Sequence, residues 1–144
     1  MVKVDLHLHS TRSDGTLTPT ELIRLCSKNG LQVVALTDHD STDGIAEARA
    51  EAGKLGNLEV IAGVELSCDT EIGEVHVLGL FVDTEAPDFQ KFCQRTRSGR
   101  LERGRLMAER LSESGVKLNF ERVLELSDGG AVGRPHVARA LVEA

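Results

Sequence analysis

Val2-Lys3-Val4-Asp5-Leu6-His7-Leu8-His9-Ser10 reads as a short apolar strand with two histidines at its end. Successive side chains of a strand point to opposite faces, so His7 and His9 project from the same face. Neutral imidazoles held that way grip one cation. The same arrangement recurs along the chain. Thr37-Asp38-His39-Asp40, Gly63-Val64-Glu65 and Val75-His76 each put a metal-type ligand at or near the end of another apolar run. Four of the five histidines take part, a pattern that scattered surface histidines would not follow.

Between these runs the spacing predicts helices. Thr18-Pro19-Thr20-Glu21 carries an N-cap, a proline at the first helical position and the glutamate of a capping box, and Gly30 supplies the stop. Residues 31–37 form a second strand, of the continuous apolar kind found in parallel sheets. Thr42 or Asp43 caps the next helix, which ends near Gly53 or Gly56. Residues 58–66 form a third strand. Residues 74–81 form a fourth, reached through a turn at 70–73, so strands three and four make a hairpin. The order βαβαββ implies an α/β sheet with parallel neighbours and right-handed crossovers. In such folds ligands gather beyond the carboxyl ends of the strands, where His7, His9, His39 and Glu65 fall. His76 lies early in a strand that runs the other way, which brings it to the same place.

After Phe81 the pattern changes. A long polar helical stretch begins at Pro87 and runs to about Ser114, with breaks at Ser98-Gly99 and Gly104. Two shorter helices follow, at 120–126 and 135–142, joined through Asp128-Gly129-Gly130. The expected organisation is therefore an α/β metal-binding part over residues 1–85 and a helical subdomain over 86–144.

Composition narrows the function classes. The length of 144 residues suits one domain, and an apolar fraction of 40% argues against disorder. No apolar run approaches a membrane span and no signal pattern opens the chain. The three cysteines, Cys26, Cys68 and Cys93, are widely spaced and outside CxxC pairs, which points to reduced thiols and a cytoplasmic setting. The net charge of −6 is uneven: residues 1–90 carry 6 basic and 16 acidic side chains, residues 91–110 carry 7 and 2. An acidic body that holds cations beside an Arg-rich segment suits an anionic substrate; a solvated helix face explains the arginines equally well. With no Tyr or Trp to stack bases, stable binding of duplex DNA is not expected.

Each candidate also has a plainer explanation. Asp14 in a Ser-Asp-Gly loop is the usual turn aspartate, but beside a histidine pair it is retained as a ligand. Asp38 and Asp40 serve equally as loop residues, and His39 is the ligand chosen from that segment. Asp5 is a candidate acceptor that fixes an imidazole tautomer. Glu65 at a buried strand end is costly unless paired or bound to a cation, and a carboxylate bridging two ions accounts for it. The His and carboxylate set suits Zn, Mn or Fe, and more than four ligands implies more than one ion. Clustered ions that bind phosphate and activate water make a phosphoesterase layout without a Ser or Cys nucleophile.

The four segments, in this order, resemble the first four motifs of the PHP (polymerase and histidinol phosphatase) family. The resemblance implies the N-terminal part of a distorted (β/α)7 barrel and a two- or three-metal phosphoesterase site. Carried over by position, His7, His9, Asp14, His39, Glu65 and His76 are ligands, with Glu65 bridging, and His7, His9 and Glu65 hold a metal-bound hydroxide. Gly133-Arg134-Pro135-His136 resembles the helical insertion of the nucleoside 3′,5′-bisphosphate phosphatase and 5′–3′ exoribonuclease branch, which makes Arg134 and His136 phosphate contacts. The implied substrate is a nucleoside bisphosphate or a short 5′-phosphorylated RNA. The alternatives are a histidinol-phosphatase-like or polymerase-associated PHP domain, or a non-catalytic metal-binding fragment. The family carries further ligands and strands beyond the point that corresponds to Ala144. The expectation is therefore an N-terminal half, with an open sheet edge beside strand one or two available for self-association.

Overall fold

The structure, a computed structural model, describes residues 1–144. Four strands form one sheet in the order β1-β2-β3-β4: β1 Val4–Leu8, β2 Val33–Leu36, β3 Glu59–Thr70 and β4 Gly73–Leu80. The pairs β1/β2 and β2/β3 are parallel, and β3/β4 is an antiparallel hairpin closed at Thr70 and Gly73. Parallel neighbours need crossovers, which α1 (Pro19–Lys28) and α2 (Ile45–Leu55) supply. The remaining helices are α3 (Pro87–Glu113), α4 (Phe120–Ser127) and α5 (Arg134–Val142).

Thr18 starts α1 as expected. Its hydroxyl accepts the Glu21 amide at 3.2 Å, and Glu21 accepts the Thr18 amide at 2.9 Å. Replacing Thr18 by alanine is expected to lower stability by about 1 kcal/mol, read from the midpoint of urea unfolding. The apolar face of α1 (Leu22, Ile23, Cys26) and that of α2 (Ile45, Ala48, Ala52) pack on Val34, Leu36, Val60 and Ala62 of the sheet. This core fixes the strands from one side and leaves their carboxyl ends to carry the polar residues. At Gly63 a Cβ would stand 2.6 Å from Thr37 Cγ2, so glycine there lets β3 approach the segment that leads to His39.

Several boundaries differ from the sequence expectation. The α2 helix begins at Ile45 with Gly44 at the cap position and no side-chain cap, because Thr42 and Asp43 serve tertiary contacts instead. The Thr42 hydroxyl accepts Gln90 Nε2 at 3.0 Å, and Asp43 pairs with Arg97. The α3 helix is continuous through Ser98, Gly99 and Gly104. Ser98 bonds back to the Gln94 carbonyl at 3.1 Å, and Gly104 gives room to Val132 and Phe120, whose atoms would lie 3.0 and 3.4 Å from a Cβ. A helix interior tolerates a glycine at a cost of about 1 kcal/mol, and at Gly104 burial against Val132 and Phe120 offsets it. The β3 strand runs four residues beyond the expected end at Leu66, to Thr70, because its far half pairs with β4. Of the first two strands, β1 lies at an open edge and β2 does not, since β2 is paired on both sides.

A second apolar cluster, Val123, Val132, Val137 and Ala140, joins α4 and α5, with Met107 and Leu111 of α3 packed against it. All three cysteines are free, and no helix is long and apolar enough to cross a membrane.

Candidate metal centre

Glu65 occupies the middle of the site. Its Oε2 lies 2.8 Å from His7 Nε2, 2.9 Å from His9 Nε2 and 3.6 Å from His39 Nδ1. Its Oε1 lies 2.7 Å from His76 Nδ1. One carboxylate therefore faces four imidazoles from three segments: the end of β1, the loop after β2, and β4 across the hairpin. Asp14 completes the ring, with its oxygens 3.6 Å from His9 Nδ1 and 3.4 Å from His39 Nε2. The imidazoles sit in a row, with centroid spacings of 5.1, 4.7 and 4.9 Å from His7 through His9 and His39 to His76.

The topology explains this convergence. His39 and Glu65 face each other in a parallel bridge beyond the last regular β2–β3 pair. His76 stands opposite Ser67 in the hairpin register, two residues past Glu65. The loop after β1 is fastened by Asp38, whose carboxylate accepts the Ser10 amide and hydroxyl at 2.7 Å each and the Ser13 hydroxyl at 2.8 Å. That fastening turns the chain so that Asp14 comes back to His9 and His39.

The electrostatics suit ligands. Burial raises the Glu65 carboxyl, but hydrogen bonds from His7 and His76 and the charges of His39 and His9 outweigh it and leave it lowered. Burial likewise opposes ionisation of Asp14, yet His39, His9 and His136 bring its carboxyl down to about 2. Burial, then His39, lowers His9, which favours the neutral, ligating imidazole. Burial raises Asp38, against the bonds from Ser10 and Ser13.

The residues fit a metal. Three sets of ligand atoms, His7/His9/Glu65, His9/Asp14/His39 and His39/Glu65/His76, each lie within 4.8 Å of one another. His39 Nδ1 is buried without a hydrogen-bond partner, and such a nitrogen facing a carboxylate is a donor atom awaiting an acceptor ion. An imidazole–carboxylate set of this kind matches divalent transition ions.

All six expected ligands thus come together. Arg134 and His136 stand beside them, not among them. Arg134 Nη2 is 2.7 Å from Glu74 Oε2, and Glu74 Oε1 is 3.2 Å from His76 Nε2. The Glu74 carboxyl, disfavoured by burial, is brought to about 2 by Arg134, His76 and Arg103. His136 is buried, and its Nδ1 accepts the Gly133 amide at 3.0 Å. A Cβ at Gly133 would lie 3.4 Å from Asp14 Cβ, so the start of α5 abuts the site. The expectation for Asp5 is corrected: its Oδ1 accepts the backbone amide of His7 at 3.2 Å and fixes the strand end, not an imidazole. The sequence reading missed Glu74, Arg100 and the role of Ser10 and Ser13. Glu74 had a signal, since a residue two before His76 shares its side of the strand.

Strand-end imidazoles and carboxylates around a central glutamate define an α/β protein with a metal-type site. Residues 5–143 match the PHP domain, and the chain belongs to the PHP family. It is 43% identical over 140 residues to the 5′-3′ exoribonuclease Rnm of Salmonella typhimurium, a match over 96% of this chain and 48% of that protein. It is 40% identical over 144 residues to the 3′,5′-nucleoside bisphosphate phosphatase of Chromobacterium violaceum, covering 99% of this chain and 50% of that one. The solved structure of an amidohydrolase from Chromobacterium violaceum, with bound sulfate and no metal, superposes with a TM-score of 0.91 at 39% identity, covering 99% of this chain and 50% of its own. The chain spans about half the length of the curated relatives it matches.

Proposed function

We propose that this chain is the metal-binding part of a metal-dependent phosphoesterase that removes a terminal phosphate from a nucleotide or short oligonucleotide. The observation that carries the reading is Glu65, whose two oxygens address four imidazoles at distances of 2.7 to 3.6 Å. His7, His9, Asp14, His39, Glu65 and His76 would hold about two or three divalent ions of Mn, Zn or Fe, with Glu65 between them. Bound there, such ions supply Lewis-acid stabilisation of phosphoryl charge and activate water near neutral pH.

The chain's own residues do the rest. His7, half exposed, marks the open side of the site from which a phosphate enters. Arg134, on the rim and largely exposed, exchanges Glu74 for a substrate phosphate, which its fork fits. His136, buried, holds the start of α5 beside Asp14 through its bond with the Gly133 amide, and its Nε2 is the atom left to meet the same phosphate. The names of the relatives support a nucleoside 3′,5′-bisphosphate or a short 5′-phosphorylated RNA as substrate, and the sulfate in one of them supports an anion site in the fold. The same reading takes residues 86–144 as a helical substrate-binding subdomain. It also takes the free edge of β1 as a surface for self-association and the cytoplasm as the setting.

The test is release of phosphate from adenosine 3′,5′-bisphosphate by the purified chain supplied with Mn²⁺. Release that a chelator abolishes is expected. Metal uptake without release would make this chain a metal-binding module and would contradict the reading for it. Arg134→Ala is expected to raise KM about tenfold or more with metal content unchanged, since a charge-assisted bond to phosphate is lost. An unchanged KM would remove Arg134 from the substrate site.

A further inference from the structure

Arg100 is the one buried arginine of the chain, 5% exposed, and it touches none of the six ligands. From the middle of α3 its Nε donates to Asp40 Oδ2 and its Nη2 to the Ser67 hydroxyl. Asp40 is fully buried and sits in the left-handed region at φ 50. Its Oδ1 accepts the Ser67 amide at 2.9 Å, its own amide donates to the Glu65 carbonyl at 3.0 Å, and the Glu65 amide donates to the Asp38 carbonyl at 3.2 Å. These bonds surround the His39–Glu65 bridge on both sides.

A carboxylate buried this deeply is tolerated only when paired and hydrogen-bonded. The guanidinium pairs with Asp40 inside the protein, where Asp40 turns the chain after His39 and grips β3 just past Glu65. We propose that Arg100 is a positioning residue for the metal centre: through Asp40 and Ser67 it fixes the spacing between His39 and Glu65. The helix that follows the sheet thereby sets the geometry of ligands on the sheet. This rests on the metal-centre reading above. Partners that orient metal ligands cost about 10–100-fold in affinity when removed, which sets the expected effect.

The test compares the 144-residue chain with Arg100→Met, Arg100→Lys and Val123→Ala. The last loosens the helical cluster without touching the tie, and so controls for general instability. In Arg100→Met, Mn²⁺ affinity should fall about 10–100-fold, and the amides of Asp40, Glu65 and Ser67 should lose protection from hydrogen exchange in the metal-free chain. Val123→Ala should change neither. Should Arg100→Met fail to fold, Arg100→Lys decides. It keeps a charge for Asp40 but not the fork to Ser67, so a smaller loss in both readouts is expected. Unchanged affinity in folded Arg100→Met, or an equal loss in Val123→Ala, would overturn the proposal. If the wild-type chain takes up no Mn²⁺, the metal-centre reading fails, and unchanged or lost amide protection still decides whether Arg100 holds the His39–Glu65 spacing.

Discussion

Glu65→Ala is expected to strip the protein of divalent metal. No other residue contacts so many of the candidate ligands: His7, His9, His39 and His76 all lie within 3.6 Å of its carboxylate. Its removal takes away the shared anion and leaves four imidazoles whose separation no longer has a centre. The loss in affinity should exceed the roughly 10–100-fold that orienting partners alone produce. Glu65→Gln separates charge from shape. An amide keeps the volume but replaces one acceptor oxygen with a donor, so it should also fail to retain metal. Because the β2–β3 pairing runs through backbone bonds from Val33/Glu59 to Leu36/Ala62, before Glu65, both substitutions should leave the secondary structure intact, readable from far-UV circular dichroism. Retention of full metal content by either variant would show that Glu65 is not the bridging ligand.

Asp38→Ala is expected to be strongly destabilising. Three donors converge on its carboxylate, the Ser10 amide and hydroxyl and the Ser13 hydroxyl, and all three residues are almost fully buried. Alanine leaves these groups without a partner inside the protein, at a cost of about 1–3 kcal/mol for each that water cannot reach. The desolvation that raises the Asp38 carboxyl is relieved at the same time, which offsets part of the loss. A net loss of about 3 kcal/mol follows, a large share of the ~5–15 kcal/mol that holds a typical domain. Asp38→Asn keeps an acceptor for the Ser10 amide and should cost less. Urea unfolding of the metal-free chain measures both. A loss under about 1 kcal/mol for Asp38→Ala would mean that the 10–14 loop is not held by this carboxylate.

The candidate ligands at the strand ends were legible because their signal is local. A period of two places His7 and His9 together, and an apolar run followed by a polar cluster marks where a parallel strand stops. The capping box at Thr18 was legible for the same reason. What escaped depends on contacts between distant residues. Arg100 and Asp40 are 60 positions apart, and nothing in the Arg-rich stretch 91–110 separates the one buried arginine from its solvated neighbours. Thr42 and Asp43 look like helix caps by type, yet α3 claims both side chains. The glycines of α3 look like breaks until Phe120 and Val132 are seen to occupy the space that a side chain at Gly104 would need. Asp5 is adjacent to the right histidine but addresses its backbone.

The measurement that tests the central claim most directly is the metal content of the purified chain after equilibration with Mn²⁺ or Zn²⁺ and removal of free ion, beside Glu65→Ala treated identically. The account predicts about two or three ions bound per wild-type chain, removed by a chelator, and none retained by the variant. Equal metal content in the two chains, or none in either, would contradict it.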